Sequence, residues 1–158
     1  MSSKPPEKTG PAQMDLEALP GHAIRPLHQI SVAIFMQEAE AHGVTPVQYA
    51  AMQTVGNCPG IDQRTLASTI GFDTSTIGGV IDRLEARGLV LRNASPDDRR
   101  VRQLTLTAEG VALLAAATPA MLRAQERMVE PLLPRERVEF MRMLQALVGA
   151  NKEISRVP

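Results

Sequence analysis

Residues 62–110 read DQRTLASTIGFDTSTIGGVIDRLEARGLVLRNASPDDRRVRQLTLTAEG. This stretch predicts two helices joined by a tight turn at Gly71, then two short strands joined by a polar loop, then the start of another helix. Asp62 stands in the position of an N-cap for the first helix, and Asp73 or Thr74 does so for the second. The stretch therefore has the pattern of a helix-turn-helix followed by a β-hairpin.

The sequence on either side of this unit predicts four further helices, because apolar residues recur there at helical spacing. They are expected at about residues 16–42, 45–55, 107–128 and 134–150. Pro26 should lie in the first turn of its helix or kink it, and Pro119 should interrupt the long helix after the hairpin. Residues 1–14 are expected to form a disordered tail, since they contain little that can be buried. The expected fold is mainly α with a small β-hairpin, in one domain over residues 15–158.

Several helix ends carry their own local signals. Thr45 and Gln48 have the spacing of a capping box around Pro46, which suits the first helical position. Gly43 is expected to end the preceding helix in the left-handed conformation. Thr107 is expected to cap the long helix that follows the hairpin.

Composition favours a helical globular protein without a strong global charge. The chain has 158 residues, 44% of them apolar, with no tryptophan, one tyrosine and three phenylalanines. Its net charge of zero gives no global sign of nucleic-acid binding. Four arginines nevertheless cluster at the predicted hairpin: Arg92, Arg99, Arg100 and Arg102. Because phosphate contact depends on local charge, the sequence predicts weak non-specific DNA binding with the arginines concentrated at one place.

Other classes of protein are disfavoured. A single cysteine excludes an intrachain disulfide, and no apolar run approaches the roughly 20 residues of a membrane span. The N-terminus lacks the apolar core of a signal peptide, so a cytoplasmic location is expected. His22 and His28 are spaced poorly for a shared metal ion and no cysteine lies near them, so neither a metal nor a cofactor is expected. Nothing in the sequence combines a nucleophile, a base and an oxyanion loop, so the protein is not expected to be an enzyme.

The helix that begins after Asp73 has two contrasting faces. Its inward face is predicted to carry Ile77, Val80, Ile81 and Leu84. Its other face is small: hydroxyl residues at its start are followed by Gly78 and Gly79, although each glycine costs about 1 kcal/mol of helix stability relative to alanine. A small face suits either a DNA groove or a closely packed protein helix, and the adjacent arginine-rich hairpin favours DNA.

The expected DNA contacts lie on the helix-turn-helix and on the hairpin, which we call the wing and place at strands 89–92 and 101–106 with their joining loop. They are Arg64, Thr74, Ser75, Thr76, Gly79, Arg83, Arg99, Arg100 and Arg102. Arg99 or Arg100 is expected to reach the DNA, with Asp82 or Asp98 orienting a neighbouring arginine; the spacing leaves open which acid pairs with which arginine. The alternative is a solvated turn with surface ion pairs of little energetic weight.

These residues resemble the MarR family of transcriptional regulators. The matching segments are Leu66-Ala67, Asp82-Arg83-Leu84-Glu85, Gly88-Leu89-Val90, Asp97-Asp98-Arg99-Arg100 and Leu106-Thr107 to Gly110. The resemblance implies a winged helix-turn-helix at about residues 45–106, flanked by dimerisation helices at about 16–42 and 107–150. It also implies a homodimer with interleaved terminal helices. The recognition helices of such a dimer enter successive major grooves of a pseudo-palindromic operator, and its wings enter minor grooves.

Apolar stripes in the flanking helices support a homodimer independently. They extend beyond the compact DNA-binding unit in the helices expected at about residues 16–42, 107–128 and 134–150. These stripes therefore need a further surface to cover them. A monomeric helix bundle would be the other way to cover them. A two-fold protein would match a two-fold DNA site.

The resemblance further implies a repressor released by a small molecule, often an aromatic acid. His22, Arg25 and His28 are spaced to share one side of the helix expected at about residues 16–42. There the arginine can pair with the carboxylate of a ligand, and the histidines can hydrogen-bond to substituents of its ring. The pocket could be completed by Tyr49, Met52 and Asn57. These three could equally be a core aromatic, a core thioether and a helix end, and the histidines an exposed basic edge.

Two alternatives to a ligand-released repressor remain open. Cys58 could make the protein a thiol-based redox sensor, although no adjacent lysine or arginine would activate it and a packing role is the simpler interpretation. The winged fold could also serve as a protein-interaction module without DNA, which charge reversal at Arg99 and Arg100 would distinguish.

Overall fold

A computed structural model describes residues 14–154. Its helices are α1 Pro20–Glu38, α2 Pro46–Asn57, α3 Gln63–Ile70, α4 Thr74–Ala86, α5 Ala108–Val129 and α6 Pro134–Ala150. Its strands are β1 Ile61–Asp62, β2 Val90–Ala94 and β3 Arg102–Leu106, and short 3₁₀ turns lie at Leu16–Ala18 and Glu40–His42. The expected fold, mainly helical with a small β-hairpin, is confirmed. The predicted disordered tail lies outside the described residues, apart from Met14.

The strands form one antiparallel sheet in the order β1-β3-β2. Leu104 of β3 is opposite Ile61 on one side and Arg92 on the other. The hairpin of β2 and β3 confirms the predicted wing strands with small shifts of their ends. Strand β1 was not predicted, because two residues are too few to show an alternating pattern and their pairing with β3 is non-local.

The predicted helix caps are confirmed. Thr45 and Gln48 form a complete capping box at the start of α2. Asp62 caps α3 by accepting from the Thr65 backbone N–H, and Asp73, rather than Thr74, caps α4. Thr107 caps α5 by accepting from the Gly110 N–H. The side-chain oxygens satisfy backbone donors that the first turn of a helix would otherwise leave unpaired.

The predicted interruption at Pro119 was wrong, and so was a place for Pro26 in the first turn of its helix, whereas a kink at Pro26 stays a prediction. Helix α1 begins at Pro20, so Pro26 lies inside it and not in its first turn, and α5 runs through Pro119 without interruption. Proline removes one hydrogen bond from a helix, but packing on both sides can hold the helix together. Gly43 does adopt the left-handed conformation, with φ of 60°, but it ends the 3₁₀ turn that follows α1.

Residues 14–154 contain two buried clusters that meet at α5. The first lies inside the helix-turn-helix and wing and comprises Ala51, Met52, Val55, Leu66, Ala67, Ile77, Val80, Ile81, Leu84, Leu89, Val90 and Leu104. The second joins α1, α2 and α5 and comprises Phe35, Ala39, Val44, Tyr49, Ala117, Ala120 and Ala124. Leu113 and Leu114 pack against both clusters. Helix α5 therefore connects the winged unit to the flanking helices.

The start of α5 is fastened directly onto the start of β2. The Thr107 hydroxyl donates to the Gly88 carbonyl oxygen at 2.6 Å. Gly110 lies so close to the Leu89 backbone that a Cβ at this position would stand 2.1 Å from the Leu89 carbonyl oxygen. Only glycine can occupy such a position without moving the backbone, so Gly110 sets the distance between the wing and α5.

Helix α6 has no buried residue, and much of its surface is apolar. Its most exposed apolar side chains are Val138, Val148 and Leu147, at 74%, 65% and 58% of their full accessibility. The exposed apolar surface continues on α1, at Ile24 and Ile30. None of the helices in residues 14–154 combines the length and hydrophobicity needed to cross a membrane.

Candidate nucleic-acid interface

Helix α4 buries the face that the sequence predicted. Ile77, Ile81 and Leu84 are fully buried and Val80 is 3% exposed. The residues of its first turn, Thr74 to Thr76, are exposed. The helix thus presents hydroxyl side chains to solvent at its N-terminal end, where backbone N–H groups also favour anions.

The N-cap of α4 fixes the hydroxyl of Thr76. The Asp73 carboxylate accepts from the Thr76 backbone N–H at 2.7 Å and from its Oγ1 at 2.5 Å. The hydrogen bond from the Thr76 hydroxyl, with help from the backbone one, lowers the pKa of Asp73, so this carboxylate is ionised at neutral pH. The Thr76 hydroxyl has donated its proton to this bond, so it can still accept from a donor on a base edge but has no proton to offer a phosphate.

The two glycines of α4 differ in what surrounds them. A Cβ on Gly78 would meet the Nε2 of Gln63 at 3.1 Å, whereas a Cβ on Gly79 would meet nothing within 4 Å. The packing of α3 against α4 therefore accounts for Gly78. No contact of residues 14–154 accounts for Gly79, so its cost to the helix needs another explanation.

The wing tip is ordered by hydrogen bonds within its own loop. Asp98 Oδ1 accepts from the backbone N–H of Arg100 at 2.9 Å, and Ser95 N donates to the Val101 carbonyl at 2.9 Å. Asp98 thus shapes the backbone of the loop, and the expectation that it pairs with an arginine side chain is corrected. The side chains of Arg99, Arg100 and Arg102 are exposed.

Asp82 pairs with an arginine that the sequence did not single out for this role. Its Oδ1 lies 2.6 Å from Nη1 of Arg92, in β2 and not at the wing tip. The alternation of β2 could have indicated this, since Arg92 follows two residues after the buried Val90 and so shares its inward face. The sequence left open which arginine Asp82 would orient, because the spacing of charges does not show the side to which a strand residue points.

The two remaining predicted DNA contacts are arginines on α3 and α4. Arg64 is exposed on α3 and Arg83 is exposed on α4. Together with the first turn of α4 and the wing arginines, they give this part of the chain an exposed set of hydroxyl and guanidinium groups. Such groups can bind phosphate oxygens and base edges.

The residues predicted to bind an effector fall into two separate groups. His22, Arg25 and His28 are exposed on α1, while Met52 is 1% exposed within the core of the winged unit. Among residues 14–154 no hydrogen bond or ion pair joins these three α1 residues to the predicted effector residues of α2, which are Tyr49, Met52 and Asn57. Met52 thus packs as a core thioether and cannot face an open pocket in this structure.

Tyr49 of α2 is also buried, and its hydroxyl connects α2 to α5. It lies 3.0 Å from Thr118 Oγ1 of α5 and donates to Gln53 Oε1 at 3.3 Å. Gln53 in turn donates to Asn57, the last residue of α2, at 2.9 Å. A row of polar side chains therefore runs along α2 and reaches α5.

Two other features of this region bear on ligand or redox sensing. An open cleft of about 380 Å³ lies at the C-terminal end of α1, lined by Met36, Gln37, Ala39, Glu40, Gly43 and Val44. None of the predicted effector residues lines it. Cys58, the residue on which the redox alternative depends, is exposed at the C-cap of α2.

Comparison with known proteins places this geometry in a family. The MarR family model matches residues 44–101, which include α2 to β2 and the wing loop. The transcriptional repressor NicR of Pseudomonas putida is 30% identical over 153 residues, covering 92% of this chain and 97% of NicR.

Solved structures agree with the sequence match. BpsR of Bordetella bronchiseptica, whose DNA binding is regulated by 6-hydroxynicotinic acid, superposes with a TM-score of 0.80 at 29% identity, over 87% of this chain and 97% of BpsR. The repressor CouR of Rhodococcus jostii, bound to a 23-mer DNA duplex, gives a TM-score of 0.79 at 29% identity, over 87% of this chain and 99% of CouR. Since the similarity covers nearly the whole chain in sequence and in fold, the protein belongs to the MarR family of DNA-binding transcriptional regulators.

Proposed function

We propose that the protein is a homodimeric, sequence-specific repressor that a small aromatic carboxylate releases from double-stranded DNA. One observation carries the DNA part of this proposal: the exposed face of α4 has an open space at Gly79 that no part of the described chain fills. A groove of DNA that receives α4 would occupy that space, and the exposed wing arginines stand beside it. The related CouR, bound to a duplex, supports the same use of the fold.

The proposed contacts divide by chemistry. Thr74, Ser75 and Arg83 would meet base edges or phosphates from α4 in the major groove, and the Thr76 hydroxyl oxygen would accept from a donor on a base edge. The guanidinium groups of Arg99, Arg100 and Arg102 would meet phosphates or an adjacent minor groove, and Arg64 would contact the backbone from α3. The base sequence of the DNA would be recognised through α4, and the wing would add affinity for the duplex.

The homodimer is supported by the apolar surfaces that the single chain leaves exposed. Helix α6 has no buried residue, and exposed apolar side chains also occur on α1 and on α5, at Ile24, Ile30, Val111 and Leu122. A monomeric bundle would have buried part of α6, so this structure favours a second copy as its cover. Two-fold pairing would place two α4 helices on successive major grooves, about 34 Å apart, of a pseudo-palindromic operator.

The proposed effector site centres on Arg25 with His22 and His28. A guanidinium group can hold a carboxylate in a bidentate pair, and the flanking imidazoles can bond ring substituents. The regulation of BpsR by 6-hydroxynicotinic acid supports an aromatic acid as the ligand class. In a dimer the partner's helices would cover α1 and enclose the site, which is open in the single chain.

Release of DNA would require only a small change in geometry. The Tyr49–Thr118 hydrogen bond and the packing of Leu113 and Leu114 connect the winged unit to α5, so a movement of the flanking helices would carry α4 with it. A ligand that prefers the non-binding geometry by about 1–3 kcal/mol would suffice for induction.

The stoichiometry of the complex tests this function. Sedimentation of the free protein should give a two-chain particle, and a titration with duplex of about 25 base pairs should saturate at two chains per duplex. A particle that sediments only as a single chain would contradict the proposed homodimer.

Replacing Gly79 by alanine should separate folding from DNA binding. The added Cβ meets nothing in the protein, so the free energy of unfolding should rise by up to about 1 kcal/mol. The same methyl group should weaken duplex binding, because it fills the space through which α4 approaches DNA. Thermal unfolding and fluorescence anisotropy with a labelled duplex measure the two effects.

Gly78→Ala is the matched comparison for Gly79→Ala. Its Cβ would press on Gln63 Nε2 at 3.1 Å, so the gain in stability should be smaller. If Gly79→Ala leaves the duplex affinity unchanged, α4 does not approach DNA closely at this residue.

Replacing Arg25 by alanine should impair induction but not DNA binding. Loss of a charged hydrogen-bonding partner, worth about 1.5–3 kcal/mol, should raise the ligand concentration needed for release roughly 10- to 100-fold. The measurement adds 6-hydroxynicotinic acid and other aromatic acids to the protein–duplex complex and follows dissociation. Lys8→Ala, which also removes one positive charge, is the control, and an unchanged release curve for Arg25→Ala would show that the carboxylate binds elsewhere.

A further inference from the structure

Arg92 is the centre of a polar cluster beneath the wing. Its Nη1 lies 2.6 Å from Asp82 Oδ1 and 3.2 Å from Glu85 Oε2, both on α4. Its Nη2 donates to the Gly78 carbonyl oxygen of α4 at 3.3 Å. One side chain of β2 thus binds α4 at three positions on successive turns of the helix.

The cluster also includes the preceding helix. Arg92 Nη2 lies 3.5 Å from Oε1 of Gln63, the first residue of α3, and Gln63 Nε2 donates to the Thr74 carbonyl oxygen at 3.4 Å. Because Thr74 begins α4, these contacts connect α3, both halves of α4 and the wing. Gly78 is small where Gln63 passes over it, which lets the cluster form.

Arg92 differs from the other arginines of the wing in its surroundings. Only 22% of its side chain is exposed, and two carboxylates face its charge. The side chains of Arg99, Arg100 and Arg102 are exposed at or beside the tip. Arg92 is therefore poorly placed to contact phosphate, and its geometry suits a role within the protein.

We propose that Arg92 is a positioning residue for DNA binding: it fixes the wing against α4 and so sets where the tip arginines stand relative to the groove. This inference rests on the proposed function. Strands β2 and β3 pair from Val90–Leu106 to Ala94–Arg102. A hairpin paired along its length moves as a unit, so fixing Arg92 at its middle directs the tip.

A contribution to stability alone accounts less well for the cluster. Asp82 is 65% exposed, and an ion pair with so exposed a partner stabilises a fold only weakly. The Nε of Arg92 is buried without an acceptor among the described residues, which costs stability. Arg92 therefore holds the wing although its unpaired Nε lowers the stability of the fold. This is expected where the orientation of the wing matters more than stability.

A double-mutant cycle tests this role. The variants are R92M, which keeps an apolar stem without the guanidinium group, the wing variant R99A/R100A, and their combination. Binding to a duplex recovered from random DNA with the wild-type protein is measured for each. We expect R99A/R100A to weaken binding about 100-fold in the wild-type background but less than about 10-fold in the R92M background, because the wing is no longer held in place. R92K, which can pair with Asp82 but lacks the fork, should restore part of the difference.

Additive effects in the cycle would overturn the proposal, and so would a wing variant that binds as the wild type does. If R92M unfolds below room temperature, D82N/E85Q replaces it, since this variant removes the carboxylates that hold Arg92 and predicts the same loss of coupling. A wild-type protein that recovers no duplex would refute the proposed function itself, whereas additivity in a protein that binds DNA refutes only the role of Arg92.

Discussion

Replacing Arg99 and Arg100 by glutamate is expected to weaken duplex binding by roughly 100-fold or more, with each lost contact worth about 1–3 kcal/mol. Both side chains are exposed at the wing tip, so the fold should not depend on them. The dependence of affinity on salt should also become shallower, by about one unit of slope for each phosphate contact removed. Titrations with a labelled duplex at several salt concentrations measure both quantities.

A charge-matched control separates this effect from a general loss of positive charge. Lys4→Glu and Lys8→Glu change the same number of charges outside residues 44–106 and should leave the salt slope nearly unchanged. A wing variant that binds with wild-type affinity and slope would exclude the wing as a DNA contact and would favour a protein-interaction role for the fold.

Replacing Gly110 by alanine is expected to destabilise the folded state by about 3 kcal/mol, the upper part of the usual range for overpacking. The new Cβ would stand 2.1 Å from the Leu89 carbonyl oxygen, a backbone atom that cannot turn aside as a side chain can. The Thr107–Gly88 hydrogen bond would be strained by the same displacement. For a chain of this size the midpoint of thermal unfolding should fall by about 6–12 °C.

Gly79→Ala serves as the control for Gly110→Ala, because it makes the same chemical change in a helix where a Cβ has open space. The two substitutions should move the unfolding midpoint in opposite directions. If Gly110→Ala leaves the midpoint unchanged, α5 does not approach β2 as closely as the structure shows.

Features governed by neighbouring residues could be predicted from the sequence. The capping box at Thr45 and the caps at Asp62 and Asp73 depend on contacts three residues apart, so their spacing alone indicates them. The buried face of α4 follows from helical periodicity in the same way. The short polar loop between two apolar strands likewise sufficed to predict the wing.

Features governed by distant contacts could not be predicted in this way. Strand β1 exists because Ile61 pairs with Leu104, more than forty residues away. The uninterrupted course of α5 through Pro119 depends on the packing of its neighbours Ala117 and Ala120 in the second cluster. Neither local propensity nor spacing contains this information.

The candidate sites show the same division. The exposed residues of α4 and the wing could be identified from local patterns, but the partner of Asp82 required knowledge of which face of β2 turns toward α4. The burial of Met52 depended on how α2 packs into the winged unit. The proposed effector site depends on a second copy of the chain, because its α1 residues are exposed in the single chain.

The most direct test of DNA recognition is selection of duplexes from a random-sequence pool by the wild-type protein at low ionic strength. The account predicts that the recovered duplexes share an inverted repeat whose half-sites lie about one helical turn apart. Recovery of no duplex, or of duplexes without a common symmetric sequence, would contradict it.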